Sequence, residues 1–129
     1  MAKRLTDTTI WGKTWFFNLP MRHKLLWCYI LDNCDGCGVW DPNWDLAAAQ
    51  IGEGVSLTED DLSLFGDRVA ILPNGDVFIL DFIHFQYGNL MDTQGNPTKS
   101  RVHRSALDLL RKHGIAYPID RVSVTPDRV

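Results

Sequence analysis

The chain has 129 residues, of which 45% are hydrophobic and 22% are charged, and its formal net charge is −3. This length allows one compact domain with a real apolar core. No apolar run approaches the ~20 residues that span a bilayer, and the MAKRLTD start has no following apolar stretch of the signal-peptide type. We therefore expect a soluble protein of the cytoplasm with no membrane partner.

The charges are distributed unevenly along the chain. Residues 1–40 carry a net charge of +2, residues 41–92 carry −9, and residues 93–129 carry +4. An acidic middle between two basic ends indicates that a polyanion would be bound by the ends.

Residues 1–19 are predicted to form an N-terminal arm or helix rich in aromatic side chains. Trp11, Trp15 and Phe16 recur at helical spacing, and all five tryptophans lie within residues 11–44. So aromatic a segment must pack on its own domain or on a second copy of the chain. These three residues are our candidates for self-association as a homodimer.

Residues 20–88 are predicted to form the core. The elements expected in chain order are a helix over 20–34, a short extended piece at 38–40, helices over 44–52 and 56–66, strands over 68–72 and 77–80, and a helical turn within 81–88. Asn74 and Gly75 favour a hairpin turn between the two strands. Helix, strand, helix, helix and hairpin is the winged-helix order, a helix-turn-helix with a short β-hairpin wing. The predicted class is therefore α+β, mainly α.

Three segments follow this core. Residues 89–97 are polar, contain Gly95 and Pro97, and are predicted to form a loop. Residues 98–114 are predicted to form a C-terminal basic helix that Gly114 ends. Residues 115–129 lack a helical period and are predicted to be a tail or the start of a linker.

The helix predicted over residues 56–66 occupies the place of a DNA-reading helix, yet Glu59, Asp60 and Asp61 would face the phosphates. Ser56 and Glu59 match a capping box, and carboxylates suit the first turn of a helix. Carboxylates repel phosphate and release no counterions. We therefore expect this helix to contact a protein partner, not the major groove.

The C-terminal helix is the better candidate for DNA contact. Its basic side chains oppose a single acid, Asp108, and are Lys99, Arg101, Arg104, Arg111 and Lys112. Spread over ~20 Å of helix, they match a surface that follows a phosphate backbone. The alternative is an ordinary solvated helix face with an Arg104–Asp108 pair. Lys3 and Arg4 are predicted to add a flexible basic arm.

No cofactor, metal or small-molecule substrate is expected. Cys34 and Cys37 have the CxxC spacing, but no second CxxC or HxxxH accompanies them, and Cys28 lies in an apolar helix where a thiol is ordinarily core. The odd number of cysteines favours reduced thiols in the cytosol. No nucleophile motif, phosphate-binding glycine loop or HExxH motif is present, so an enzyme is not predicted.

Several segments occur together in a familiar order: KLLWCYILDNCDGCGVW (24–40), QIGE (50–53), DLSLFGDRV (61–69), FIHFQYG (82–88) and RKHGI (111–115). Over residues ~5–115 the chain resembles the N-terminal winged-helix domain of bacteriophage replisome-organiser or replication-initiation proteins, relatives of DnaD-type primosomal proteins. The resemblance implies origin binding in the cytoplasm of a bacterial host, with the replicative helicase or another replisome protein as a partner. In larger relatives a helicase-engaging domain follows the last of these segments. The remaining residues are too few to form one, as in an N-terminal fragment or a shortened member.

Two hypotheses result. In the first, the protein is a non-enzymatic module that grips the backbone of duplex or partly melted DNA through the basic C-terminal helix. In the second, it is an interaction and oligomerisation module that uses the acidic helix and the aromatic N-terminus, with no direct DNA contact.

Overall fold

The computed structural model describes residues 2–121. The protein is α+β and mainly helical, with a three-stranded antiparallel sheet. The helices are α1 (Thr14–Phe17), α2 (Met21–Asn33), α3 (Trp44–Ile51), α4 (Phe82–Tyr87) and α5 (Arg101–Lys112), with 3-10 helices at Ile10–Gly12 and Glu59–Arg68. The strands are β1 (Val39–Trp40), β2 (Val69–Ile71) and β3 (Val77–Ile79).

The chain forms two compact units. Within the described residues, the first comprises residues 2–33 and Pro42–Gly66, and the second comprises Cys34–Asp41 and residues 67–121. The first unit contains α1, α2, α3 and most of the second 3-10 helix, whereas the sheet, α4 and α5 belong to the second. The predicted core of residues 20–88 is thus divided between the two units.

Helices α2 and α3 pack together in the first unit. Pro20 precedes α2, where its missing N–H costs nothing. The neighbours Leu26 and Trp27 are buried, and so is Ile30 one helical turn later. Asn43 caps α3, because its side-chain oxygen accepts the backbone N–H of Leu46 at 3.1 Å.

Aromatic rings fill the rest of this unit. Trp15 meets Trp27 with ring centroids 5.1 Å apart, and Trp27 meets Phe65 at 5.1 Å. Phe16 has no exposed surface and touches the rings of both Trp11 and Trp15 edge-on. The prediction of Phe16 as a self-association residue is therefore wrong, because its side chain is part of the core.

The acidic segment is a 3-10 helix, and it begins three residues later than predicted. Near its start Asp61 reaches back, and its Oδ2 accepts the backbone N–H of Thr58 at 2.7 Å. Gly66, with φ 59°, then kinks the backbone and separates the acidic turn from Arg68.

The predicted hairpin in the second unit is confirmed. Strand β3 lies between β1 and β2, with Val39 opposite Phe78 and Ala70 opposite Phe78 on the other side. In the turn, the N–H of Gly75 bonds to the carbonyl of Leu72 at 2.9 Å. Gly75 has φ 92°, the left-handed geometry expected for a glycine closing such a turn.

Residues 115–121, predicted as part of a tail, are held to the second unit. Ile115 is buried, and the Tyr117 hydroxyl accepts the N–H of Leu90 at 3.0 Å. Arg121 donates to the carbonyl of Asp67 at 2.8 Å and to the carboxylate of Asp81 at 2.7 Å. The rest of the predicted tail, residues 122–129, lies outside the described part of the chain.

Candidate nucleic-acid interface

Helix α5 is strongly two-sided. Ala106, Leu107 and Leu110 are buried, so one face packs into the second unit. Ser100 caps the helix by accepting the backbone N–H of His103 at 3.4 Å. Val102 is 57% exposed, because the buried stripe runs through Ala106, Leu107 and Leu110.

The opposite face of α5 carries the basic residues. All the predicted cations at this end of the chain are exposed: Lys99, Arg101, Arg104, Arg111 and Lys112. Asp108 lies among them, and its Oδ1 is 3.3 Å from Nη1 of Arg111. Because both side chains are more than 70% exposed, solvent screens this pair and it holds Arg111 only weakly. The alternative pairing of Arg104 with Asp108 is not the one formed.

This face suits contact with a polyanion. Twelve helical residues extend about 18 Å, which is the length of several phosphate spacings along one strand. Long, solvent-exposed side chains can contact a phosphate backbone without first breaking a buried interaction. This face provides positive charge, but its exposed side chains are not held in a fixed geometry that would recognise particular bases.

The predicted N-terminal basic arm behaves differently. Arg4 is half-buried, and its Nη1 donates to the carbonyl of Leu31 at 2.9 Å, close to the end of α2. A guanidinium is a favourable partner for the free carbonyls at a helix C-terminus. Arg4 is therefore a structural residue of the first unit and not part of a flexible arm, whereas Lys3 is exposed.

The acidic residues of the 3-10 helix have unequal roles. Asp61 is 15% exposed, and its Oδ1 accepts a hydrogen bond from Nε2 of the buried His23 at 2.9 Å. Arg22 adds a cationic contact at 3.5 Å. Burial tends to raise the pKa of Asp61, but the N–H of Thr58, His23 and Arg22 outweigh it, and the net pKa is lowered.

Sequence reasoning had placed all three acids on a protein-docking surface. The interactions of Asp61 remove it from that surface, while Asp60 is exposed and Glu59 is half-buried. His23 was missed, because a histidine within an apolar helix gives no sign of which carboxylate it will meet. The pair joins residues 38 positions apart.

Exposed apolar side chains gather at the start of α2 in the first unit. Met21 is 78% exposed and Phe17 is 67% exposed. Leu25, one turn after Met21, is 42% exposed, and the ammonium of Lys24 lies 5.7 Å from the centre of the Phe17 ring. Trp11 is 61% exposed, whereas Trp15 is half-buried. We call Phe17, Met21 and Leu25 the apolar patch.

A second polar cluster lies in the second unit, where Asp35, Cys37 and His113 bring their side-chain donor atoms within 4.8 Å of one another. Nε2 of His113 donates to Oδ2 of Asp35 at 2.7 Å. Burial tends to raise the pKa of Asp35, but His113 and the N–H groups of Val39 and Cys37 outweigh it and lower the pKa. Burial, with the adjacent Asp35, raises the pKa of the Cys37 thiol.

No family model, curated protein or solved structure matches this chain. Among the helices of residues 2–121, none combines the length and the apolar character that crossing a membrane requires.

Proposed function

We propose that the protein is a non-enzymatic, DNA-binding winged helix that holds the DNA backbone through the basic face of α5. The observation that carries the proposal is the exposure of Arg101, Arg104, Arg111 and Lys112 on a helix whose other face is buried, with the exposed Lys99 just before the helix cap. The element order and the three-stranded sheet are compatible with a winged helix.

Phosphate contacts account for the expected mode of binding. Each cation that neutralises a phosphate releases condensed counterions, which favours binding whatever the base sequence. Contacts of this kind position a protein on DNA without specifying a sequence. The protein would therefore bind duplex or partly melted DNA, and its affinity would fall steeply as the salt concentration rises.

The 3-10 helix Glu59–Arg68 is the less suitable DNA-contacting element. Asp60 is exposed there, and the carboxylate of Asp61 is engaged with His23. The hairpin tip adds Asp76, whose N–H is bonded to the side chain of Asn74, and offers no cation. Repulsion between these acids and phosphate favours α5 as the site of contact.

The resemblance to phage replisome-organiser proteins supplies a biological setting for this activity. We propose that DNA binding serves replication initiation in a bacterial cell that carries the phage or prophage. The replicative helicase or another replisome protein is the proposed partner.

The test is a charge reversal, in which Arg101, Arg104 and Arg111 are replaced together by Glu. Binding to a labelled duplex at low salt should be abolished, because attractive contacts become repulsive. Reversing three cations elsewhere in the chain is not a suitable control, because some of those cations make structural contacts. Circular dichroism of the variant therefore serves as the folding control. Unchanged affinity of a folded variant would reject this site.

The apolar patch supports a second function, association with another copy of the chain. Large apolar side chains exposed side by side mark interaction surfaces more often than isolated ones do. Met21 and Leu25 are one turn apart on α2, so they share a face. With Phe16 buried, Phe17 and Trp11 replace it as the aromatic residues available to a partner.

Light scattering of the chain and of a Phe17→Glu, Met21→Glu double variant tests this second function. The wild-type chain should be a dimer at high concentration and the variant a monomer, because both residues are already exposed and the fold tolerates the change. A monomeric wild-type protein would remove the proposal. A dimeric variant would place the interface elsewhere.

A further inference from the structure

We propose that Asp35, Cys37 and His113 form a binding site for one divalent transition-metal ion of the Zn²⁺ type. The three side chains supply a carboxylate oxygen, a sulfur and an imidazole nitrogen, the donor set that zinc prefers and that Mg²⁺ and Ca²⁺ do not. This inference is independent of DNA binding.

The donor atoms are close enough to share an ion. Zinc lies about 2.0–2.3 Å from oxygen, nitrogen and sulfur ligands, so two ligands of one tetrahedral ion are roughly 3–4 Å apart. The three donor atoms lie within 4.8 Å of one another, and the closest pair, Oδ2 of Asp35 and Nε2 of His113, is 2.7 Å apart. Binding therefore needs a contraction of roughly 1–2 Å at most and a small opening of that hydrogen bond.

The loop that carries two of the ligands is held in place by its own hydrogen bonds. Oδ1 of Asp35 accepts the backbone N–H groups of Cys37 at 3.0 Å and Val39 at 3.1 Å, which leaves Oδ2 directed at His113. The Tyr87 hydroxyl donates to the carbonyl of Gly36 at 2.6 Å. A site whose ligands are held before the ion arrives loses little conformational entropy on binding.

An ion can reach this site from solvent. Cys37 is fully buried, but the side chain of Asp35 is 30% exposed and that of His113 is 14% exposed. With three protein ligands, a tetrahedral ion keeps one position for water. On binding, Cys37 loses its thiol proton to solvent and coordinates as thiolate, and His113 moves its N–H from Nε2 to Nδ1.

CxxC spacing alone would have suggested a different site. Cys34 precedes Cys37 by three residues, yet the group consists of Cys37 with Asp35 and His113, and not of the two cysteines. His113 follows the last residue of α5, 78 positions after Asp35. An ion here would fasten the end of α5 to the loop before β1.

The experiment uses the full chain, reduced, freed of metal by a chelator and titrated with Co²⁺. We expect one ion per chain and a near-ultraviolet thiolate-to-cobalt charge-transfer band that Zn²⁺ abolishes by displacement. The band should be lost in Cys37→Ser and retained in the matched control Cys28→Ser, whose thiol lies in α2. Absence of the band, or a band of equal strength in Cys37→Ser, would overturn the proposal.

A second variant guards against loss of folding. Asp35→Asn keeps an oxygen that can accept the two loop N–H groups but is a poor metal ligand. Its Co²⁺ affinity should fall by at least roughly 10- to 100-fold, the loss typical when a residue that only hydrogen-bonds to a metal ligand is changed. Zn²⁺ should raise the midpoint of thermal unfolding of the wild-type chain and of Cys28→Ser but not of Cys37→Ser. An equal rise with Mg²⁺ would contradict a thiolate site.

Discussion

Neutralising two arginines of α5 should change the salt dependence of DNA binding by an amount that the structure sets. The basic face holds five exposed cations, and each is taken to neutralise one phosphate. At about −0.9 per phosphate, the slope of log K against log salt should be about −4.5. In Arg101→Gln, Arg104→Gln three cations remain, and the slope should fall to about −2.7.

The difference is large enough to measure by fluorescence anisotropy with a labelled duplex. Between about 50 and about 200 mM salt, the wild-type chain should lose about 500-fold in affinity and the double variant about 40-fold. The matched control is Lys13→Gln, Lys24→Gln, which removes the same charge from the first unit, where Lys13 is exposed and Lys24 is half-buried. Its slope should stay near that of the wild-type chain.

Two results would refute the reasoning. One is a slope in the α5 variant equal to the wild-type slope. The other is a slope that becomes equally shallow in the control, which would indicate that binding depends on the net charge of the chain and not on the basic face of α5. Asp108→Asn provides the opposite change, because it removes the only acid on the basic face and releases Arg111 from its 3.3 Å pair. It should bind DNA more tightly than the wild-type chain.

Three further predictions concern the fold. Because the pKa of Asp61 is lowered on folding, the unfolded chain takes up the proton first as pH falls, so this stabilisation is present above about pH 4 and is lost below it. The difference in free energy of unfolding between the wild-type chain and Asp61→Asn, measured in urea, should therefore be smaller at about pH 3 than at about pH 7. An equal difference at both pH values would contradict this. Gly38→Ala should lower the free energy of unfolding by at least about 2 kcal/mol, since Gly38 has φ 95° and the added Cβ would lie 2.6 Å from Cβ of Phe82. A variant as stable as the wild-type chain in thermal unfolding would contradict this. Phe16→Ala should cost about 3–5 kcal/mol and Phe17→Ala less than about 0.5 kcal/mol, because only Phe16 is fully buried; equal losses in urea titrations would show that this assignment of burial is mistaken.

Local signals in the sequence were sufficient for many of the elements. Pro20 marks the start of α2, Asn43 and Gly52 bound α3, and the pair Asn74 and Gly75 marks the hairpin turn. Each of these acts through backbone geometry or hydrogen bonds within a few residues. For the same reason the basic face of α5 could be predicted, since a helical period and a count of charges place its residues on one side.

Other assignments depended on which side of a short element faces the interior. Phe16 and Phe17 are adjacent aromatic residues of nearly equal hydrophobicity, and only the packing of Trp11 and Trp15 buries the first and exposes the second. Asp61 of the acidic helix accepts the N–H of the nearby Thr58 and also meets the distant His23, a contact that no local pattern indicates.

The sequence by itself determined the mainly helical α+β class, the hairpin and the charge of α5, because these follow from periodicity and turn chemistry over short stretches. Tertiary structure alone decided that Asp61 meets His23 and that Asp35 and Cys37 meet His113. Those contacts join residues 38 or more positions apart. Such pairs are selected by the packing of whole elements, which brings side chains together without leaving a local pattern in the chain.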